Sequence, residues 1–172
     1  LSDIRAALDA QGGLDAVLGL PGAEDLSGDL VDAILEEAAR FAHEVLSPLN
    51  QPGDRQGSRL VDGAVVTPNG FRQAYADFAA GGWVGLTASA KFGGQGLPHL
   101  LAAAVGEIWS SANMAFSLCP MLSQSAIKAL TNHGSERQQR LYLDKLVSGQ
   151  WTGTMELTES QAGSDVGALR TK

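Results

Sequence analysis

Few residues of this 172-residue sequence have the types and spacing that chemistry needs. The run Phe92-Gly93-Gly94-Gln95-Gly96 has the glycine density of a phosphate-cradling loop. A Walker loop, however, needs Gly-Lys-Ser/Thr opening a helix, and a dinucleotide fingerprint needs three glycines between a strand and a helix. Here the run joins two helical segments and leads into Leu97-Pro98, so it reads as a backbone corner that uses positive φ. His43, His99 and His133 are scattered, with no partner at i+4 and no second ligand at metal spacing, so no metal site is expected. Glu36, Glu37 and Glu44 fall on the wet face of a helix, and no Ser-His-Asp ordering emerges. The single cysteine, Cys119, excludes an internal disulfide and a cysteine-based zinc site, and reads as a small buried apolar residue.

The segment Met155 to Asp165 is different. Trp151, Gly153, Met155 and Leu157 alternate with Thr152, Thr154, Glu156 and Thr158, which is strand spacing, and the strand runs into Ala162-Gly163-Ser164-Asp165. A strand edge offers N–H and C=O groups to a planar heterocycle, and a turn with glycine lets backbone amides approach an anion closely. An ordinary strand-to-loop exit is the more economical account of the same residues from physics alone.

The elements that must position these residues are mostly helices. Ser2 to Leu18 keeps a rough helical period interrupted by Gly12-Gly13, which predicts two short pieces. Ser27 is the expected N-cap of a stronger helix, with Asp29 and Asp32 in its first turn. Leu30, Ile34, Leu35, Ala38, Phe41, Ala42 and Val45 form its apolar stripe, and Pro48 is expected to stop it. Residues 50–66 read as a connection, with a turn at Pro52-Gly53 and hairpin chemistry at Val61-Asp62-Gly63. Thr67-Pro68 predicts a cap and first turn for a helix through Ala79, closed by Gly81-Gly82.

A further helix is expected from Pro98 through Ala112, and Pro120 is expected to divide the helical region between Ala112 and His133. The helix after that proline should end at His133-Gly134. Ser135-Glu136-Arg137-Gln138 spells a capping box for a last helix through Val147, closed by Gly149.

Composition excludes several classes. The 12 Lys+Arg against 19 Asp+Glu give a net charge of −7, a poor start for binding nucleic acid. With 44% hydrophobic and 18% charged residues the chain can bury a core, yet no stretch approaches the ~18 apolar residues of a membrane span. No basic-then-apolar signal segment opens it. The class that remains is a soluble cytoplasmic protein.

The stretch Leu157-Thr158-Glu159-Ser160-Gln161-Ala162-Gly163-Ser164-Asp165 resembles the flavin-binding signature of the acyl-CoA dehydrogenases. Gly82-Trp83-Val84-Gly85-Leu86, then Phe92 to Pro98, Glu107 and the stretch Gly134 to Gly149, are similar to that family in the same order. The resemblance covers the chain from Leu30 onward. Leu30 to Asn50 and Trp109 to Phe116 look most like the subgroup that includes 3-methylmercaptopropionyl-CoA dehydrogenase. Ser160 stands where the family usually has proline, a less rigid turn.

The resemblance implies an all-α fold, the N-terminal helical bundle over residues 1–149, with residues 150–172 as the first strand of a middle β domain. It implies FAD as cofactor and α,β-desaturation of an acyl-CoA thioester, a glutamate taking the α-proton and flavin N5 the β-hydride. An electron-transfer flavoprotein is the implied electron acceptor, and a homo-oligomer (dimer or tetramer) the implied assembly. Carried over by position, Met155 and Leu157 would lie along the flavin, Thr158 would bond its pyrimidine edge, and Gly163 and Ser164 would approach the pyrophosphate. Ser164 would also lie near the CoA arm, and Ser117, Met121 and Leu122 would line the acyl pocket. Plain core packing explains those three helical positions equally well. The family's catalytic glutamate lies beyond Lys172, so no catalytic residue is expected here, and these 172 residues alone are expected to be inactive. Glu156 and Glu159 belong to the flavin segment, and their side chains are expected to be structural. The competing expectation is a non-catalytic helical module that carries acyl groups or docks a partner.

Overall fold

A computed structural model describes residues 1–10, 12–21 and 23–171. The N-terminal region folds as the two expected pieces, α1 (Ser2–Ala10) and α2 (Gly13–Leu18), and Arg5 reaches from α1 to pair with both Asp9 and Asp32. Ser27 caps α3 (Gly28–Phe41), its hydroxyl accepting from Leu30 N at 3.2 Å. The buried line of α3 is Val31, Leu35, Ala38 and Phe41, whereas Leu30 is exposed. Leu35, Ala38, Phe41 and Ala42 are buried and Ile34 and Val45 pack against the core, so the expected stripe holds except at its first position, where Val31 takes the place of Leu30.

Pro48 does not stop the helix. A π-helical stretch, Ala42–Leu46, follows α3 directly, and Ser47 N donates to Ala42 O five residues back. Pro48 then falls in the first turn of α4 (Ser47–Gln56), directly after the widened π-helical turn. Pro52-Gly53, expected as a turn, is helical, and Gly53 is buried because the Phe71 ring lies where a side chain would stand. The hairpin forms as expected: β1 (Arg59–Val61) pairs antiparallel with β2 (Ala64–Val66), Leu60 opposite Val65. Its turn residues Asp62 and Gly63 both have positive φ, the left-handed pair a tight hairpin requires.

Helix α5 (Phe71–Ala80) starts three residues later than Thr67-Pro68 suggests. Asn69 N is held by Gln56 Oε1 at 2.9 Å, and Gly70, with φ of 87°, turns the chain into the helix. Residues 82–97 form a closed loop containing two short 3₁₀ turns, Trp83–Gly85 and Ala90–Phe92. Gln95 N donates to Gly85 O, Gly96 N to Ala88 O and Leu97 N to Leu86 O, each at 2.9–3.0 Å. The glycine run is thus structural, as its sequence context indicates.

Helix α6 (His99–Ala112) packs on both α3 and α7 (Met114–His133), and α7 packs on α8 (Glu136–Val147). Pro120 lies inside α7 and does not divide it. The break falls instead at Asn113, whose extended backbone separates α6 from α7 and whose side chain caps α7. Ser117 and Ser123 flank the proline and donate to the carbonyls of Asn113 and Cys119 one turn back. Helix α8 opens with the expected reciprocal capping box, Gln138 N to Ser135 Oγ and Ser135 N to Gln138 Oε1.

The core joins these helices through aromatic rings. Phe78 of α5 meets Trp109 edge-on at 4.7 Å and Phe116 at 5.6 Å, and Trp83 meets Trp109 at 5.1 Å. Val31, Val105 and Leu143 are fully buried around them. The alternation over 151–158 does not produce a ladder here. A strand needs a neighbour, and among the described residues the segment has none beyond the single bridge Glu159–Ala162. No described helix is long and apolar enough to cross a membrane.

Candidate functional site

Helix α7 buries Phe116, Pro120, Ser123 and Ile127 and turns Met114, Leu118 and Met121 outward, each about half exposed. Ser117 and Leu122, the other residues expected to line an acyl pocket, are half-buried on the flanks of this outward face. Cys119 is exposed and not buried as expected, since its position lies off the buried line of the helix. Enough protein surrounds its sulfur to push the thiol above its ordinary range, so it is a weak nucleophile at neutral pH.

A cleft of about 1740 Å³ opens between the end of α4, strand β2, the start of α5 and the start of α7. Asp54, Arg72, Tyr75, Met114, Leu118 and Cys119 line it, whereas Ser117, Met121 and Leu122 do not. His43, His99 and His133 are all exposed, and no metal-binding group of three occurs among the described residues.

The segment after α8 is fastened to the bundle at three points and then let go. Tyr75 donates to Gly149 O at 3.2 Å, and Trp151 N donates to Lys145 O at 3.0 Å while Lys145 Nζ lies 4.1 Å from the Trp151 ring centre. Gly153 N donates to the fully buried Ser123 Oγ at 3.1 Å. Here the chain crosses α7 so closely that a Cβ on Gly153 would stand 2.7 Å from Ala126 Cβ. Ser123 and Gly153 therefore link α7 to the segment carrying the signature.

Substituting Gly153→Ala is expected to lift this crossing at a cost of about 1–3 kcal/mol. Hydrogen exchange checks it: the residue-153 amide should lose protection while the α6 and α7 cores keep theirs. Unchanged protection at 153 would show that α7 yields instead.

Beyond Gly153, residues 154–158 make no hydrogen bond among the described residues. Met155 (64% exposed), Leu157 (46%) and Thr158 stand on this free stretch. Glu159 and Ala162 then exchange backbone hydrogen bonds at 3.0 and 3.1 Å, and Ala162 is buried. Gly163 and Ser164 come next on the exposed turn, and nothing occupies the space where a Gly163 side chain would be. The Glu159 carboxylate accepts from Thr171 N at 2.8 Å, Arg170 N at 3.0 Å, the Thr171 hydroxyl and Gln161 Nε2. Those bonds, led by the Thr171 hydroxyl, hold its pKa down to about 2. Such contacts agree with a structural role for the Glu159 side chain.

Sequence reasoning passes over Ser123 and Gly153. A glycine inside an alternating run is a signal of close backbone approach, and Gly153 carries it. The Glu159 contacts, eleven and twelve residues along the chain, carry no local signal.

The fold defines a class. It superposes on butyryl-CoA dehydrogenase from Megasphaera elsdenii with a TM-score of 0.69, over 84% of this chain and 36% of that one, at 20% identity. A TM-score of 0.66 at 28% identity relates 82% of the chain to 34% of PigA in its FAD complex. This is an α-helical N-terminal domain of the acyl-CoA dehydrogenase type.

Sequence comparison makes the assignment particular. The family model described as the acyl-CoA dehydrogenase N-terminal domain matches residues 29–150, and the chain belongs to the acyl-CoA dehydrogenase family. It is 45% identical over 168 residues to 3-methylmercaptopropionyl-CoA dehydrogenase of Ruegeria pomeroyi, which covers 98% of the chain and 29% of that protein. The subgroup expected from Leu30 to Asn50 and Trp109 to Phe116 is thus the one found. The chain spans less than a third of that relative's length.

Proposed function

We propose that this chain is the N-terminal part of an FAD-dependent acyl-CoA dehydrogenase, an oxidoreductase that desaturates an acyl-CoA thioester between Cα and Cβ. Residues 1–149 are its helical domain, and residues 150–172 open its middle β domain. The observation that carries this reading is the free stretch 154–158 followed by a turn whose Gly163, Ser164 and Asp165 amides have no acceptor among the described residues.

These residues fit FAD. Unpaired backbone groups suit the edge of a planar ring system, and unengaged amides beside a side-chain-free Gly163 suit a pyrophosphate. Met155 and Leu157 would supply apolar contact along the flavin, Thr158 a hydroxyl for its pyrimidine edge, and Gly163 and Ser164 the contacts to phosphate. When bound, FAD supplies the acceptor for the β-hydride.

The outward face of α7, with Ser117, Met121 and Leu122, forms one wall for the acyl chain and excludes water from it. Ser164 also serves the CoA arm. The base that removes the α-proton is assigned to the remainder of the full-length protein. Glu159 is unsuited to that role, since its carboxylate is fully engaged and held at a pKa of about 2. Residues 1–172 alone are therefore inactive in this reading, because positioned base, carbonyl contacts and cofactor do not act separately. An electron-transfer flavoprotein reoxidises the flavin, and the full-length protein is a cytoplasmic dimer or tetramer.

The test is the absorbance of the purified full-length protein, followed by a panel of acyl-CoA substrates with electron-acceptor reduction as readout. A flavin band is expected, with turnover of short or thioether-bearing acyl chains. No band, and none after FAD is added, would sink the reading in favour of a non-catalytic acyl-carrying or docking module.

A further inference from the structure

We propose that Glu159 is a positioning residue: its carboxylate closes residues 159–171 into a loop and thereby sets the Gly163, Ser164 and Asp165 amides for the pyrophosphate. This inference rests on the FAD reading above. One carboxylate gathers donors from both ends of the loop, Gln161 Nε2 on one side and Arg170 N, Thr171 N and the Thr171 hydroxyl on the other. Hydrogen bonds to an ionised acceptor are the stronger kind, and three of these four come from the far end of the loop.

Inside the closure the backbone is also organised. The Glu159–Ala162 exchange buries Ala162 beneath the turn, and Val166 N and Ala168 N donate to Ser164 O and Asp165 O within the 3₁₀ turn Val166–Ala168. The carbonyls of 164 and 165 are thereby engaged within the loop. Their own amides, with that of Gly163, are left without a protein acceptor among the described residues. Preorganised amides cost nothing to orient when an anion arrives, and that advantage disappears when the loop opens.

The experiment uses full-length protein stripped of flavin and reloaded with FAD, in wild-type, Glu159→Gln, Thr171→Val and double-variant forms. FAD affinity comes from fluorescence quenching, pyrophosphate environment from ³¹P resonances, and ring environment from the visible flavin spectrum. Glu159→Gln is expected to weaken FAD binding roughly tenfold and shift the ³¹P resonances while leaving the visible spectrum unchanged. Thr171→Val should do the same several-fold more weakly, and the double variant should be no worse than Glu159→Gln, because both changes open one closure.

Equal effects on ring and phosphate signals, no effect on either, or fully additive losses would overturn the proposal. Should Glu159→Gln retain no FAD, Thr171→Val carries the same comparison. Wild-type protein that binds no FAD overturns the FAD reading and this proposal with it. Wild-type protein that binds FAD indifferently to these substitutions overturns this proposal alone.

Discussion

Asn113→Ala is expected to cost about 3 kcal/mol of folding stability, roughly 10 °C in melting temperature for a chain of this length. The Asn113 side chain is 1% exposed and serves two elements at once. Its Oδ1 accepts from Phe116 N at 3.0 Å, satisfying the first turn of α7, and its Nδ2 donates to Leu46 O at 3.2 Å, at the end of the π-helical stretch. Alanine strands both partners in the interior, and a buried polar group that loses its partner is penalised by more than the bond itself contributes.

Thermal unfolding measures the loss, and Asn113→Asp dissects it. Aspartate keeps the capping oxygen but sets a carboxylate oxygen against the Leu46 carbonyl, so at neutral pH it should be no better than alanine. As the pH falls and the acid gains a proton to donate, it should recover. An alanine variant that melts within about 2 °C of wild type would mean that water reaches both groups.

The second large effect is expected at Gly94. A Cβ there would lie 2.1 Å from Ala88 O and 2.4 Å from Ala88 C, and Ala88 O is the acceptor that Gly96 N uses to close the 82–97 loop. Backbone cannot swing aside as a side chain can, so Gly94→Ala should destabilise by about 3 kcal/mol or more. Gly96 provides the contrast. Its φ is +66° but nothing lies within 4 Å of its Cβ position, so Gly96→Ala should carry only the left-handed backbone cost of about 1–2 kcal/mol. Denaturant midpoints of the two variants decide the matter: equal midpoints, or the reverse order, would show that the loop adapts.

Elements whose stop and start signals are local were legible in the sequence. Ser27, the Ser135–Gln138 box, Asp62-Gly63 and Gly81-Gly82 each mark a boundary with their own chemistry, and the structure places the boundary there. The two prolines show the limit. The cost of Pro48 and Pro120 is local, but its accommodation is not: a π-helical stretch precedes one, and serine hydroxyls with an asparagine cap surround the other. Residue type alone puts Cys119 in the interior, whereas the spacing of Phe116, Pro120, Ser123 and Ile127 already puts it off the buried face. In the candidate site, motif resemblance is what points to residues 155–165. What fastens them, Ser123 to Gly153 and Glu159 to Thr171, joins residues 30 and 12 apart and leaves no periodic trace.

The π-helical stretch Ala42–Leu46 also bears on how related sequences should be aligned. It amounts to one residue more than a regular helix would hold, and each residue turns a helix by about 100°. A relative lacking that residue could keep both halves helical only by turning the second half about its axis by this angle. A one-residue gap inside a helix ordinarily signals a wrong alignment. At this point it is the gap to look for, and shifting it into the loop after α4 would put every position of that helix out of register with its true counterpart.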